Sequence, residues 1–135
     1  MVILIGCSSV KRDGYLPAYI KYDGPLWKSL RTVPNVERLI EEDKIYVISA
    51  LHGIIPASSF IDDYNVSLTD SASIDKLAEL IKSQNFKATP LVVAGVKYRE
   101  ALIRAGINDF VTVTGGIGTK RAKLKQLLNK ELNND

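Results

Sequence analysis

Four short runs rich in β-branched residues constrain the fold of this chain more than any other feature of its sequence. Each run is apolar without strict alternation, which is typical of strands buried on both faces of a sheet. They span residues 2–7, 44–49, 90–94 and 110–114. Because helical segments separate them, the runs predict a mainly parallel sheet with right-handed crossovers.

The intervening segments carry apolar residues at helical spacing. Pro25 and Pro34 suit the first turns of two short helices, with a break leading into Pro34. A longer helix is predicted to take Ser71 or Ser73 as its N-cap, and a shorter one to end at Gly106 as its C-cap. The apolar stripes are Leu26, Leu30 and Val33; Val36, Leu39 and Ile40; Ile74, Leu77 and Ile81; Tyr98, Leu102 and Ala105; and Leu124, Leu127, Leu128 and Leu132.

This repetition predicts an α/β fold, namely a three-layer, Rossmann-like domain with a mainly parallel sheet of four or five strands and helices on both faces. The chain has 135 residues, of which 46% are hydrophobic, enough for one core. Residues 1–135 are therefore expected to form a single domain. Residues 52–69 show no clear periodicity, and so long a loop in a compact domain is usually functional or mobile.

The sequence has one cysteine, Cys7, and one histidine, His52. An intramolecular disulfide and metal sites built from several cysteines or histidines are therefore excluded, and no metal or cofactor is expected. The sequence contains no apolar stretch long enough to span a membrane and no basic lead typical of a signal peptide. We accordingly expect a cytoplasmic protein that does not bind membranes.

The net charge of +3 is concentrated towards the C-terminus. Residues 119–135 hold five basic and two acidic residues, whereas the rest of the chain is balanced. A basic helix of this kind can contact the phosphates of a nucleic acid, although most such charge runs are solvated helix faces.

The four predicted strand ends share glycines, hydroxyl groups and cations. In an open α/β sheet, ligands bind at the carboxyl ends of the strands, near the point where strand order reverses. Glycines let backbone N–H groups approach an anion, and Lys11, Arg99 or Lys120 would supply full positive charges. The alternative is that these glycines and serines only make tight turns. With Tyr64 of the long loop, the candidate ligand-binding residues are Cys7, Ser8, Lys11, Ser49, His52, Gly53, Gly95, Tyr98, Arg99, Gly116 and Gly118.

Two common phosphate-binding motifs are absent. Residues 115–120 are rich in glycine and end in Thr-Lys, but their spacing differs from that of a P-loop and they follow the last predicted strand. The dinucleotide fingerprint G-x-G-x-x-G does not occur either. ATP hydrolysis and nicotinamide chemistry are therefore not expected.

Carboxylates are the groups usually required to cleave a glycosidic bond. Asp62 and Asp63, beside Tyr64 in the long loop, are the candidate catalytic residues. Their alternative role is turn formation in a solvated loop. A thiolate–imidazolium pair of Cys7 and His52 is a further hypothesis, although a single cysteine at the end of a buried strand is usually a packing residue.

Several short motifs follow one another along nearly the whole chain. They comprise Cys7, Ser8 and Lys11; Ala18, Tyr22, Leu26, Trp27 and Arg31; Ser49, Ala50, Gly53 and Ile54; Gly95, Tyr98 and Arg99; and Gly116 and Gly118. In these residues the sequence resembles a domain-of-unknown-function family of bacteria, archaea and phages, marked by C-S-x-x-K and S-A-x-x-G. That family often has Pro-Tyr-Asp where this chain has Asp63-Tyr64-Asn65, so the resemblance directs attention from position 65 to Asp62 or Asp63. It commonly has an aromatic or basic residue in place of His52, which makes His52 a doubtful catalyst.

The C-S and S-A-x-x-G segments also look like a domain in archaeal relatives of tRNA-guanine transglycosylases. This second resemblance implies a nucleobase or nucleic-acid ligand. We therefore expect binding of a nucleotide, nucleoside or nucleic-acid segment at the carboxyl edge of the sheet, with action on an N-glycosidic bond as the catalytic version. The alternative is a non-catalytic nucleotide or nucleic-acid binding module. A homodimer is compatible with either.

Overall fold

A computed structural model describes residues 1–133 as a mixed α/β fold. In chain order the elements are β1 (Ile3–Gly6), β2 (Leu16–Pro17), α1 (Ala18–Lys21), α2 (Pro25–Arg31), α3 (Val36–Glu41), β3 (Ile45–Ser49), β4 (Gly53–Pro56), β5 (Phe60–Ile61), α4 (Ser71–Gln84), β6 (Leu91–Val93), α5 (Val96–Arg104), β7 (Val111–Thr112) and α6 (Ile117–Leu132).

The main sheet has five strands in the order β4-β3-β1-β6-β7. Strands β3, β1, β6 and β7 are parallel, with Ile3 of β1 aligned with Ile45 of β3 and Leu91 of β6. These four strands lie within the four predicted β-branched runs, so the mainly parallel sheet is confirmed.

The prediction that residues 52–69 lack regular structure is wrong for the first half of this segment, which contains the two short strands β4 and β5. Strand β4 pairs antiparallel with β3, and β5 pairs antiparallel with β2 in a separate two-stranded sheet. Gly53 opens β4 at a φ of 71°, a conformation that favours glycine. Such short strands carry little periodic signal, because their pairing partners rather than their own sequence define them.

The helix boundaries agree with the sequence at Pro25, which begins α2, but not at Pro34. Helix α3 begins at Val36 after Asn35, so Pro34 lies outside its first turn. Gly106 follows α5 with a φ of 88°, one residue beyond the C-cap position, as glycine does at many helix ends.

The N-cap of α4 is Asp70, rather than Ser71 or Ser73. The Asp70 carboxylate accepts a hydrogen bond from the Ser73 N–H at 2.8 Å, and the Ser73 hydroxyl accepts one from the Asp70 N–H at 3.0 Å. This reciprocal capping box satisfies two helix-end N–H groups, which a serine at position 71 would not do.

Alternate residues of β1 belong to two hydrophobic clusters. Ile3 and Ile5 pack in a cluster with residues of α2, α3 and α6, whereas Leu4 packs in a second cluster with residues of α4 and α5. Successive side chains of a strand point in opposite directions, so neighbouring residues of β1 contribute to different clusters. No helix among the described residues is long and apolar enough to cross a membrane.

Candidate ligand-binding edge of the sheet

The order of the strands reverses beside β1. The chain passes from β1 to β3 on one side and later returns to β6 on the other side of β1. The carboxyl ends of β1 and β6 therefore flank a topological switch point, the place where open α/β sheets form ligand crevices.

Cys7 and Tyr98 meet at this switch point. Cys7 follows β1 directly, and its N–H continues the sheet by donating to the Ile48 carbonyl at 3.0 Å. Tyr98 lies in the first turn of α5, which follows β6. The Cys7 Sγ and Tyr98 hydroxyl are hydrogen-bonded at 3.0 Å across 91 positions of sequence.

A cavity of about 120 Å³, which we call the switch-point cavity, opens beside this pair. Its lining offers a thiol, hydroxyl groups, an amide and one cation. The lining residues are Cys7, Ser8, Ser9, Lys11, Asn65, Val66, Ser67 and Tyr98.

A hydroxyl network supports the cavity from the protein interior. It consists of Tyr22, Tyr64 and Ser49: the Tyr64 hydroxyl lies 2.5 Å from that of Tyr22 and 3.0 Å from that of Ser49. The Ser49 hydroxyl also accepts the N–H groups of Leu51 and His52, each at 3.3 Å. Because Tyr22 and Ser49 are fully buried, the network fixes the ring of Tyr64.

Burial raises the pKa of the Tyr22, Tyr64 and Tyr98 phenols above the ordinary value for tyrosine. A hydrogen bond with Tyr64 adds to the rise at Tyr22, and the Cys7 thiol adds to it at Tyr98. The three phenols therefore keep their protons at neutral pH and act as hydrogen-bond donors or acceptors rather than as bases.

Lys11 supplies the positive charge of the cavity. Its Nζ lies 4.6 Å from the centre of the Tyr64 ring, and the hydroxyl network holds that ring in place. Among residues 1–133, no carboxylate forms an ion pair with Lys11, so no acidic group in this part of the chain neutralises its charge.

Ser8 lines the cavity, but its hydroxyl is already engaged. It donates to the Val10 carbonyl at 2.6 Å and accepts the Gly24 N–H at 3.1 Å. A Cβ at Gly24 would lie 2.7 Å from that of Ser8, so the close approach requires glycine there. One lone pair of the Ser8 hydroxyl remains for a ligand.

His52 does not pair with Cys7. Its ring packs edge-on against Tyr64, with the ring centres 5.1 Å apart, while the Cys7 thiol contacts Tyr98. Burial lowers the pKa of His52, which favours the neutral imidazole. The hypothesis of a thiolate–imidazolium pair therefore has no support from the geometry.

Asp63 is held by a buried lysine. Lys21, fully buried, donates to the Asp63 carboxylate at 2.5 Å, and the Gly14 N–H donates to the same oxygen at 2.9 Å. The hydrogen bond from Lys21 lowers the pKa of Asp63, followed in importance by that from Gly14. Asp63 thus anchors the loop as an ionised carboxylate, whereas Asp62 accepts, within residues 1–133, only the N–H of Asp63, at 2.9 Å. A catalytic role for either stays a prediction.

The remaining predicted residues lie around the cavity or apart from it. Gly95 is the N-cap residue of α5, and the Arg99 Nε is buried with no hydrogen-bond partner among the described residues. Gly53 faces the Gln84 amide instead of the cavity, Gly116 is the N-cap residue of α6, and Gly118 lies in the first turn of that helix. The structure thus groups Cys7, Ser8, Ser49, Lys11, Tyr64 and Tyr98 more closely than the glycines.

Sequence reasoning missed two contributors to this region. Asn65 is not among the predicted site residues, because it stands where a carboxylate is expected. It lines the switch-point cavity with Val66 and Ser67. The anchoring role of Lys21 was not predicted either, because lysines are rarely buried. Within residues 1–133, no group of three or more histidine, cysteine or acidic side chains could hold a metal ion.

Residues 2–126 match DUF6884, a family of unknown function, so the chain belongs to this family. The match covers nearly the whole chain and confirms the expected membership of a family of unknown function. No curated protein matches the chain. The correspondence of individual motifs and the likeness to tRNA-guanine transglycosylase relatives stay predictions.

Proposed function

We propose that the protein binds a nucleotide or a related nucleobase-bearing ligand at the switch-point cavity. The observation that carries this proposal is Lys11, which has no carboxylate partner among residues 1–133 and lies over an aromatic ring at the point where strand order reverses. A cavity that combines this cation with neutral hydroxyl and amide donors suits an anionic group such as a phosphate.

The volume of the cavity limits what it can hold. Pockets for small molecules usually measure about 300–1,000 Å³. At about 120 Å³, the switch-point cavity suits one polar group, and the rest of the ligand would lie outside it. This size favours a ligand with a separable phosphate over one that must be fully enclosed.

The proposal includes a three-layer, Rossmann-like arrangement of the fold. Support comes from the two hydrophobic clusters, which divide the helices between the two sets of β1 side chains. It is in such sheets that the carboxyl edge is the usual ligand site.

The catalytic version of the proposal is action on an N-glycosidic bond. Such chemistry needs a carboxylate to stabilise positive charge on the sugar or to activate water. Asp62 is the better candidate, because within the described part of the chain its carboxylate accepts only a neighbouring N–H, whereas Asp63 is committed to Lys21.

A non-catalytic module that binds nucleic acid through α6 is the second candidate. It is favoured by the exposed cations on this helix, including Arg121, Lys123, Lys125 and Lys130. Such a surface would bind through phosphate contacts, with strong dependence on salt and little on base identity.

A thermal-shift screen with bases, nucleosides, mononucleotides and oligonucleotides separates these functions, because ligands of the native state raise its melting temperature. We expect a shift with a mononucleotide that Lys11→Ala abolishes and the matched variant Lys125→Ala retains. Shifts with oligonucleotides alone, lost in moderate salt and in Lys125→Ala but not in Lys11→Ala, would reject the cavity and support α6.

A further inference from the structure

A second cavity, of about 260 Å³, lies beside the switch-point cavity. We call it the aliphatic cavity. It is lined by Ala50, Leu51, Val66, Ser67, Leu68, Ser73, Lys76 and Leu80. Val66 and Ser67 line both cavities, so the two are neighbours along one stretch of backbone.

The walls of the aliphatic cavity are suited to an apolar ring. Leu51 of the β3–β4 turn and Val66 are 42% and 43% exposed, although both are large aliphatic residues. Leu80 of α4 also lines the cavity. A flat apolar group in contact with these side chains would remove exposed surface from water, which is favourable.

Residues 64–68 run between the two cavities. Hydrogen bonds hold this segment at both ends, whereas the backbone groups in its middle have no partner within residues 1–133. Tyr64 is anchored by the hydroxyl network, and the carbonyl of buried Leu68 accepts a hydrogen bond from Lys97 Nζ at 3.3 Å. Within the described chain, the backbone N–H and carbonyl groups of residues 65–67 form no hydrogen bond. These groups are therefore available to a ligand in either cavity.

Aliphatic walls beside unpaired backbone groups match the chemistry of a nucleobase. A base has apolar faces and an edge of hydrogen-bond donors and acceptors. A hydrocarbon chain would fit the walls, but it would cover the polar groups of residues 65–67 without replacing their hydrogen bonds to water, which is costly.

We propose that a nucleoside monophosphate spans the two cavities, with its base in the aliphatic cavity, the edge of the base on the backbone of residues 65–67, and its phosphate at Lys11. This inference rests on the proposed function and names its ligand. Together the two cavities reach the size of about 300 Å³ or more that is usual for small-molecule sites, which the switch-point cavity alone does not.

Calorimetric titration with AMP, GMP, CMP, UMP and ribose 5-phosphate tests the inference. We expect Leu51→Ala to weaken binding of the preferred nucleotide by about 5–10-fold, the effect of removing one apolar wall. Ribose 5-phosphate, which lacks the base, should bind Leu51→Ala and the wild type equally. Ile103→Ala, which shortens a similarly exposed aliphatic side chain on α5, should change neither affinity.

Ala50→Phe, which fills the aliphatic cavity, provides a second test. It should exclude the nucleotide but retain ribose 5-phosphate. If Lys11→Ala weakens nucleotide binding while Leu51→Ala and Ala50→Phe leave it unchanged, the base lies elsewhere and only this inference fails. If none of the four nucleotides binds the wild-type protein, both the inference and the mononucleotide version of the proposed function are wrong.

Discussion

The carboxyl edge beside β1 and the C-terminal helix α6 are two regions that could meet an anionic ligand, and they hold their polar groups in opposite ways. At the edge, Tyr22, Ser49 and Lys21 are fully buried, and the hydroxyl network and Lys21 are hydrogen-bonded to several partners. Along α6, Lys123, Lys125 and Lys130 point into solvent. Hydrogen bonds within the protein position the polar groups of the edge, whereas the lysines of α6 share only their positive charge and their exposure.

This difference indicates where the fold bears an energetic cost. Burying a hydroxyl or an ammonium group is unfavourable unless partners replace its hydrogen bonds to water. The edge meets that requirement through residues far apart in sequence, such as Lys21 and Asp63. Exposed lysines carry no such requirement, so α6 could exchange its cations without altering the fold.

Replacement of a lysine by methionine should show the largest contrast between the two regions. Lys21 Nζ donates to the Arg12 and Gly14 carbonyls at 2.9 and 2.6 Å, as well as to Asp63. Lys21→Met removes the partner of the Arg12 and Gly14 carbonyls, whose bonds to Lys21 are partly buried, whereas Asp63 is exposed and is solvated by water instead. We expect a loss of about 2 kcal/mol, since a buried acceptor left unsatisfied costs about 1–3 kcal/mol. Urea unfolding measures it. Lys125→Met, on exposed α6, should change stability by less than about 0.5 kcal/mol, and equal losses would remove the contrast.

A smaller effect is expected from one buried hydroxyl. Tyr22→Phe removes the partner of the Tyr64 hydroxyl and should cost about 1–2 kcal/mol in unfolding free energy. Tyr15→Phe is the matched control, because Tyr15 is 65% exposed and should be nearly neutral. A Tyr22→Phe protein as stable as the wild type would mean that the hydroxyl network does not hold the edge together.

The third effect concerns alkaline pH, where one phenol at the switch point is compared with an exposed one. In the unfolded chain the tyrosines ionise near their ordinary pKa of about 10, whereas the raised pKa values keep Tyr22, Tyr64 and Tyr98 protonated in the folded protein. The unfolded state then loses protons first. The free energy of unfolding should therefore keep its full value below about pH 10 and decrease as the pH rises above it.

Unfolding midpoints at about pH 9 and pH 11 measure this decrease. The decrease should be smaller in Tyr98→Phe than in the wild type, and Tyr15→Phe again serves as the control. An identical decrease in the wild type and Tyr98→Phe would show that the phenol at the switch point ionises as in the unfolded chain.

The sheet was predictable because each of its four parallel strands lies in a β-branched run that is visible in the local sequence, such as residues 44–49. Strand β4 was not, since four residues carry too little pattern and their antiparallel partner, β3, defines them. Similarly, Ser71 and Ser73 were reasonable N-caps by residue type. The choice of Asp70 depends on the reciprocal bonds that only the folded geometry shows.

At the candidate site, the rule that parallel strands end at one edge anticipated that Cys7 and Tyr98 lie near each other. The hydroxyl network was not predictable in the same way. Tyr15 and Tyr22 are alike in the sequence, yet one is exposed and the other fully buried, because long-range packing decides which ring turns inward. The same applies to Lys21, whose burial depends on three acceptors from other segments.

The most direct test of the central claim is an NMR titration of the isotopically labelled protein with a mononucleotide such as AMP, which locates the binding site residue by residue. Binding at the carboxyl edge predicts that the amide signals of residues 7–11 and 65–67 shift together, while those of 120–130 stay in place. Shifts confined to α6, or none at all, would contradict the account.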